Sequence, residues 1–243
     1  MAKSTAETES AESHNIQWIS TAAIDTSIVE LRNSLALFAS QQFKKVGDKL
    51  HAIGYVAGTD RKEGLSPFGY GSDETVAISL ILRIASELTS ASAELFASGR
   101  SYAAAALLRQ IVEVEYLAWA FESRDKDAER WIRSNDDERR EFFRPAILRK
   151  ASQGMFRGLD YGYHCDLGGH PTPRASLLLA GDSTTSQLLL SDLLGHVGRI
   201  WNHVAACAKQ QGEDWVHEYD HEMVARFKEW RSRDILTKLP TPP

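Results

Sequence analysis

Cysteine is scarce, with two in 243 residues. Cys165 and Cys207 can form at most one bridge and neither sits in a paired spacing, so a disulfide scaffold is excluded and a reducing cytoplasm is the expected compartment. Glycine and proline, at 16 and 7 residues, are too few for a collagenous or low-complexity chain. Long apolar runs are also missing: the stretch from Tyr102 to Phe121 is interrupted by Arg109, Gln110, Glu113 and Glu115, each costly in lipid, so no membrane span is expected. The first fifteen residues lack the apolar block of a secretory signal and carry Glu7, Glu9 and Glu12, unlike a transit peptide. A disordered tail is expected at 1–15, and an extended one at 236–243, where Pro240, Pro242 and Pro243 stop any helix. With 28 basic against 33 acidic residues, the net charge of −5 gives no whole-protein attraction to nucleic acid.

What is present is helical periodicity. Ile24, Ile28, Leu31, Leu35 and Phe38 recur at spacings of three and four, followed by Phe43, Val46 and Leu50, which predicts one long helix or two joined ones over 16–57. Loop composition at 58–72 separates it from a stripe of Val76, Leu80, Ile84, Leu88, Ala91 and Leu95. A third helix, 100–122, is apolar nearly all round and reads as the spine of the fold. Asn135 and Glu138 form a capping-box pattern for a helix over 136–152, and two helices close the chain at 186–210 and 213–233. Nothing alternates with period two and no repeat has a fixed period. The expectation is an all-α, single-domain bundle of about 6–8 helices over 16–235, with an irregular Gly/His-rich segment at 153–185.

The spine carries one charged pair among apolar neighbours. Arg109 and Glu113 lie four apart on a stripe with Tyr102, Ala106, Tyr116 and Ala120, in the weaker order for a surface helix pair. Either they are an ion pair that orients two helices, or they anchor an anionic ligand. Their expected partners lie in the segment Tyr163-His164-Cys165-Asp166-Leu167-Gly168-Gly169-His170-Pro171, where Pro171 pushes His170 out of helical geometry and an imidazole can act as general acid or base. Tyr163, Asp166 and Arg157 are the expected ligand contacts; His170, His164, Arg109 and Glu113 are the expected catalytic groups.

The combination Gly99-(x)7-Leu107-Leu108-Arg109-x-x-x-Glu113, Ala128-x-x-Trp131 and Tyr163-x-Cys165-x-x-x-x-His170-Pro171 resembles uncharacterised bacterial all-helical domains of unknown function, over roughly residues 75–205. The resemblance implies a bundle whose Arg, Glu, Tyr and His meet in one place. A weaker likeness is to the HEPN ribonuclease and toxin superfamily, whose signature is Arg, four to six residues, then His. Arg157 to His164 has six between them, but Gly158 and Gly162 depart from a good helix there, and Arg199 to His203 has only three. That likeness implies a metal-independent ribonuclease.

Three further features compete. His217-Glu218-Tyr219-Asp220-His221 is a literal H-E-x-x-H, which on a helix sets two imidazoles on one face for zinc with Glu218 as base. Against it stand the charged Asp220 and Glu222, and Phe227 where a third histidine is needed. His196, Arg199 and His203 form a stripe bordering the apolar face of their helix, a site only if that edge meets the spine. Residues 138–158 carry six basic and two acidic side chains among Phe142, Phe143 and Phe156, the composition of an RNA-contacting surface with stacking rings or of a solvated helix face over a buried one. The preferred expectation is a polar pocket of Arg109, Glu113, Tyr163 and His170 that binds an anionic ligand or a protein partner. No cofactor is implied, and Trp201, Trp215 and Trp230 are compatible with a homodimer.

Overall fold

The computed structural model describes residues 21, 23–56, 73–124 and 126–238; the loop expected at 58–72 and the tail at 1–15 lie outside them. Regular structure among the described residues is helical throughout, with ten α-helical segments, one of them a single turn. These are α1 (Thr26–Val56), α2 (Asp73–Ala97), α3 (Ser101–Ser123), α4 (Asp127–Arg133), α5 (Asp136–Phe142), α6 (Pro145–Ala151), α7 (Gly158–His164), α8 (Ser176–Leu179), α9 (Ser183–Gln210) and α10 (His217–Arg233). The all-α bundle expected from periodicity is the fold observed.

Helices α1 and α2 pack antiparallel and close. Ser40 Oγ donates to the Ser86 carbonyl at 2.9 Å and Ser86 Oγ returns the bond to Ser40 at 2.8 Å. Lower on the same seam a Cβ at Gly54 would stand 2.8 Å from Val76 Cγ2, so only glycine lets the backbones approach this far. Helix α3 turns back along α2, and its inner face buries Leu108, Ile111, Val112 and Trp119. By length and composition α2 is the one helix among the described residues apolar enough to cross a bilayer, and 61% of its apolar window is buried inside the bundle.

Helices α3 and α9 run parallel. Ser101 meets Ser186 at 2.6 Å, Glu115 meets His196, and Glu122 meets His203, so numbers rise together on both helices and the two carboxylate–imidazole contacts are a heptad apart. Parallel neighbours need a long return connection, and residues 124–182 supply it by walking back along α3. Phe156 stacks on Tyr116 at 4.1 Å and edges onto Trp119 at 5.5 Å; Tyr161 then reaches Glu113 and Arg109; Gly168 lies against Ala105.

The return is more broken than the expected single helix over 136–152. The Asn135–Glu138 capping box forms and starts α5, but Pro145 holds Arg144 extended (φ −63, ψ 143) and α6 begins anew. Phe143 and Phe156 are buried and Arg130 lies over the Phe142 ring at 3.2 Å, so the three rings of 138–158 pack rather than present a stacking surface. Trp201 and Trp230 are in the core, and Lys49 covers the Trp215 ring at 3.7 Å. Trp201 and Trp230 are thus packing residues, and Trp215 is part-buried. Of the tail expected to be extended over 236–243, residues 236–238 belong instead to a 3-10 turn, Ile235–Lys238, with Leu236 buried, and 239–243 lie outside the described residues.

That last turn closes on a buried ion pair. Arg32 grips Asp234 with two parallel bonds, Nε to Oδ2 at 2.7 Å and Nη2 to Oδ1 at 2.8 Å, and its Nη1 donates to the Ala23 carbonyl and Gln187. Asp234 also accepts from Trp230 Nε1 at 2.8 Å and Ser191 Oγ at 3.3 Å. Both side chains are fully buried, so each depends on the other to offset its lost hydration. Burial alone would raise the Asp234 pKa, but the Arg32 hydrogen bond and charge hold it below the usual carboxylate range. Asp234→Ala is expected to cost about 3–5 kcal/mol in urea unfolding, and Arg32→Met/Asp234→Leu to recover much of that loss. Because the folded pKa is depressed, the contribution is complete above the ordinary carboxylate value and is lost as pH falls through the folded one. Urea midpoints measured downward from about pH 5 should therefore fall faster for the wild type than for the double variant.

Candidate functional site

Arg109 and Glu113 do pair, Nη2 to Oε1 at 2.8 Å, half-buried on the outer face of α3. The tyrosine between them is Tyr161, which accepts from Arg109 Nη2 at 2.8 Å and donates to Glu113 Oε1 at 2.8 Å. Tyr163 is exposed and leans its ring edge on His164 instead. His170 is also exposed, and its backbone makes the bonds of the turn: N–H to the Cys165 carbonyl, carbonyl from the Thr172 N–H. The expected four-residue pocket is therefore not assembled: α7 presents Tyr161 rather than Tyr163 to α3, and although Gly169 lies against Arg109, the His170 side chain makes no hydrogen bond or ion pair with Arg109 or Glu113. Asp166 holds the exposed Arg174 at 3.1 Å, and Arg157 is an exposed residue at the start of α7.

The H-E-x-x-H string opens α10, with His217, Glu218 and His221 all exposed. Its Asp220 accepts a bond from Trp201 Nε1 at 2.8 Å, a packing task. Among the described residues these three side chains do not belong to any converging group of metal-ligand type. A groove of about 370 Å³ between α9 and α10 is lined by Trp201, Asn202, Met223, Phe227, Lys228 and Arg231 among others, none of them a histidine, cysteine or carboxylate.

Convergence occurs where α3, α7 and α9 meet, about 120° round α3 from Arg109. His164 is the last residue of α7, and a π-helical turn, Cys165–Gly169, follows at once. Such wide turns recur at functional sites. Here the turn is pinned by contact: a Cβ on Gly168 would lie 2.4 Å from the Ala105 carbonyl carbon, and one on Gly169 2.5 Å from Arg109 Cδ. With the turn fixed, His164 is buried against α9, where Asp192 and His196 share one helical face. His164 Nε2 is 3.5 Å from Asp192 Oδ2, His196 Nε2 is 3.6 Å from Asp192 Oδ1, and the donor atoms all lie within 4.8 Å of one another. The two imidazoles meet edge to face with centroids 5.2 Å apart.

Behind His196 stands Glu115, buried on α3. Its Oε2 is 2.5 Å from His196 Nδ1 and its Oε1 accepts from Arg199 Nε at 2.7 Å. Burial alone would raise the Glu115 pKa, but His196 and Arg199 outweigh it and hold the carboxyl at about 2. An ionised carboxylate only accepts, and two lone pairs 2.5 Å apart would repel, so His196 Nδ1 carries the hydrogen. Arg199 Nη2 also stands 2.8 Å from Nδ1, but with both nitrogens donors it makes no hydrogen bond there and is held by its Nε bond to Glu115. His196 therefore turns Nε2 toward Asp192 and His164. Burial pushes His164 down to about 4, with the Asp192 charge opposing and His196 and Arg199 adding, so its imidazole is neutral near pH 7.

The stripe His196, Arg199 and His203 does face the spine, meeting Glu115 and Glu122. Asp192 and Glu115 carried no motif of their own. The signal that could have found Asp192 is its place four residues before His196, since i and i+4 share a face; Glu115 looked like an interruption of an apolar helix rather than a partner.

Comparison with known proteins finds no family model, no curated protein and no solved structure that matches the chain. The junction rests on the close contact of the π-turn with α3, which gives a paired test. Gly168→Ala drives its methyl into α3 backbone and is expected to cost about 1–3 kcal/mol in urea unfolding. Gly162→Ala on α7 meets nothing within 4 Å and is expected to be neutral or to stabilise by up to about 1 kcal/mol.

Proposed function

We propose that this chain is a metal-binding helical protein whose centre is held by His164 Nε2, His196 Nε2 and the Asp192 carboxylate, and that the metal is zinc. The observation that carries the reading is the spacing of these donors. The two histidine–aspartate separations, 3.5 and 3.6 Å, are too long for hydrogen bonds, yet three polar groups face one another in a largely buried junction. The two separations run to different oxygens of the one carboxylate, which therefore stands between the imidazoles, and zinc bonds of about 2.0–2.2 Å span donors about 3.3–3.6 Å apart.

Two imidazoles and a carboxylate are a zinc-type donor set. The Glu115 carboxylate behind His196 Nδ1 supports it as well, because metal-bound histidines are oriented by such a bond to the far nitrogen. Asp192, with 39% of its side chain exposed against 4% for His164, provides the access path. The reading replaces the expected Arg109/Glu113/Tyr163/His170 pocket with a neighbouring junction and adds a metal where the motifs implied none.

Elemental analysis and calorimetry on the full chain should find one zinc per molecule. Free zinc at about 100 times Kd should stabilise the fold by about 2.7 kcal/mol, reversed by EDTA. His196→Ala and Asp192→Asn should abolish binding, Glu115→Gln should weaken it about 10- to 100-fold, and His217→Ala/His221→Ala should leave it intact. A chain that takes up no zinc would sink the proposal; RNA cleavage that survives EDTA and disappears in His164→Ala would support the metal-independent ribonuclease instead.

A further inference from the structure

Resting on the zinc reading, we infer that the fourth corner of the tetrahedron is an exchangeable site for an anionic oxygen, of the carboxylate or phosphate class, and that Tyr163 at its rim donates a hydrogen bond to that oxygen. The donor set is the first ground. Among the described residues, three ligand-type side chains converge and no fourth joins them. The carboxylate behind His196, Glu115, has both oxygens engaged, one by His196 and one by Arg199. A structural zinc is closed by four protein donors; a centre with three keeps a position for water or a substrate.

Asymmetry of burial says where that position faces. His164 and His196 are 4% and 8% exposed in their side chains, whereas Asp192 is 39% exposed. The open corner is therefore on the Asp192 side, toward solvent. Charge selects what goes there: two neutral imidazoles and one carboxylate leave a divalent zinc with one uncompensated positive charge, and Arg199 offsets the Glu115 carboxylate behind it. An anionic oxygen completes both the coordination and the charge.

Tyr163 is placed to meet it. Its ring meets the His164 ring edge to face with centroids 5.5 Å apart, and 46% of the residue is exposed. A half-exposed phenol against a ligand histidine borders the junction on its solvent side. It is a donor with no hydroxyl partner among the described hydrogen bonds, unlike Tyr161, which Arg109 and Glu113 occupy.

The test uses the full chain loaded with Co²⁺, whose visible absorption reports coordination number and ligand identity. Failure of Co²⁺ and Zn²⁺ to bind at all overturns the metal reading itself. With Co²⁺ bound, titration with sodium acetate and with inorganic phosphate should each shift the visible bands saturably, and the two arms show which oxyanion the rim prefers. A Co²⁺ spectrum that stays unchanged at saturating concentrations of both means a closed, structural centre and overturns the open corner. Tyr163→Phe should bind Co²⁺ as the wild type does while raising the anion Kd about tenfold or more, the loss of one hydrogen bond to a charged group. Equal anion affinity in Tyr163→Phe would remove Tyr163 from the site.

Discussion

A carboxylate buried in a helical core dictates much of this structure. Glu115 sits on the least polar helix with 2% of its surface exposed, and an ion so placed persists only if counter-charges reach it with good geometry. His196 and Arg199 reach it from α9, three residues apart on one face. Their bonds set the register of α9 against α3, and the same register brings Glu122 to His203 one heptad on. A parallel α9 in turn obliges the chain to travel back along α3 before α9 can begin. The return carries Tyr161 to Arg109 and Glu113, and His164 to Asp192 and His196. The proposed centre is thus a by-product of satisfying one buried charge: the group that orients His196 also forces the connection that delivers His164.

The architecture was largely legible in the sequence because long amphipathic helices announce themselves through spacing. The spine, the helices on either side of it and the closing pair all follow from apolar residues at three and four. Even the Asn135–Glu138 cap was readable, since a capping box is a local device with local signals. Where expectation and structure part, the causes are of two kinds. Pro145 is a local one, restarting a helix that periodicity alone would continue, whereas Trp201 looks exposed until the following helix lays Asp220 against it and Trp230 until its neighbour Asp234 is anchored by the distant Arg32.

The candidate site was legible in half. Arg109 and Glu113 were seen as a pair, and His164 as a member of the important segment, because charged or titratable groups among apolar or glycine-rich neighbours stand out. The choice of tyrosine was wrong by two positions. Tyr161 and Tyr163 differ by about 200° round a helix, and no sequence feature fixes which one α7 turns inward; the contacts of Phe156 and Gly168 with α3, on either side, do. Asp192 was invisible for another reason. A lone aspartate on an amphipathic helix has the appearance of a solvated residue until a histidine from a segment nearly thirty residues earlier is laid against it. Literal motifs misled in the opposite sense, since H-E-x-x-H came out on a solvent face where its aspartate serves a tryptophan.

The Arg32–Asp234 pair joins residues 202 apart in sequence, and this separation has a temporal meaning. Ribosomes add about 5–20 residues per second, so roughly 10–40 s pass between the making of the guanidinium and the making of the carboxylate that grips it. Throughout that interval α1 can pack on α2 but cannot bury Arg32 without leaving a cation uncompensated. The bundle is therefore barred from locking early, and the burial of Arg32 waits until everything up to Asp234, including Asp192 and His196, has been made.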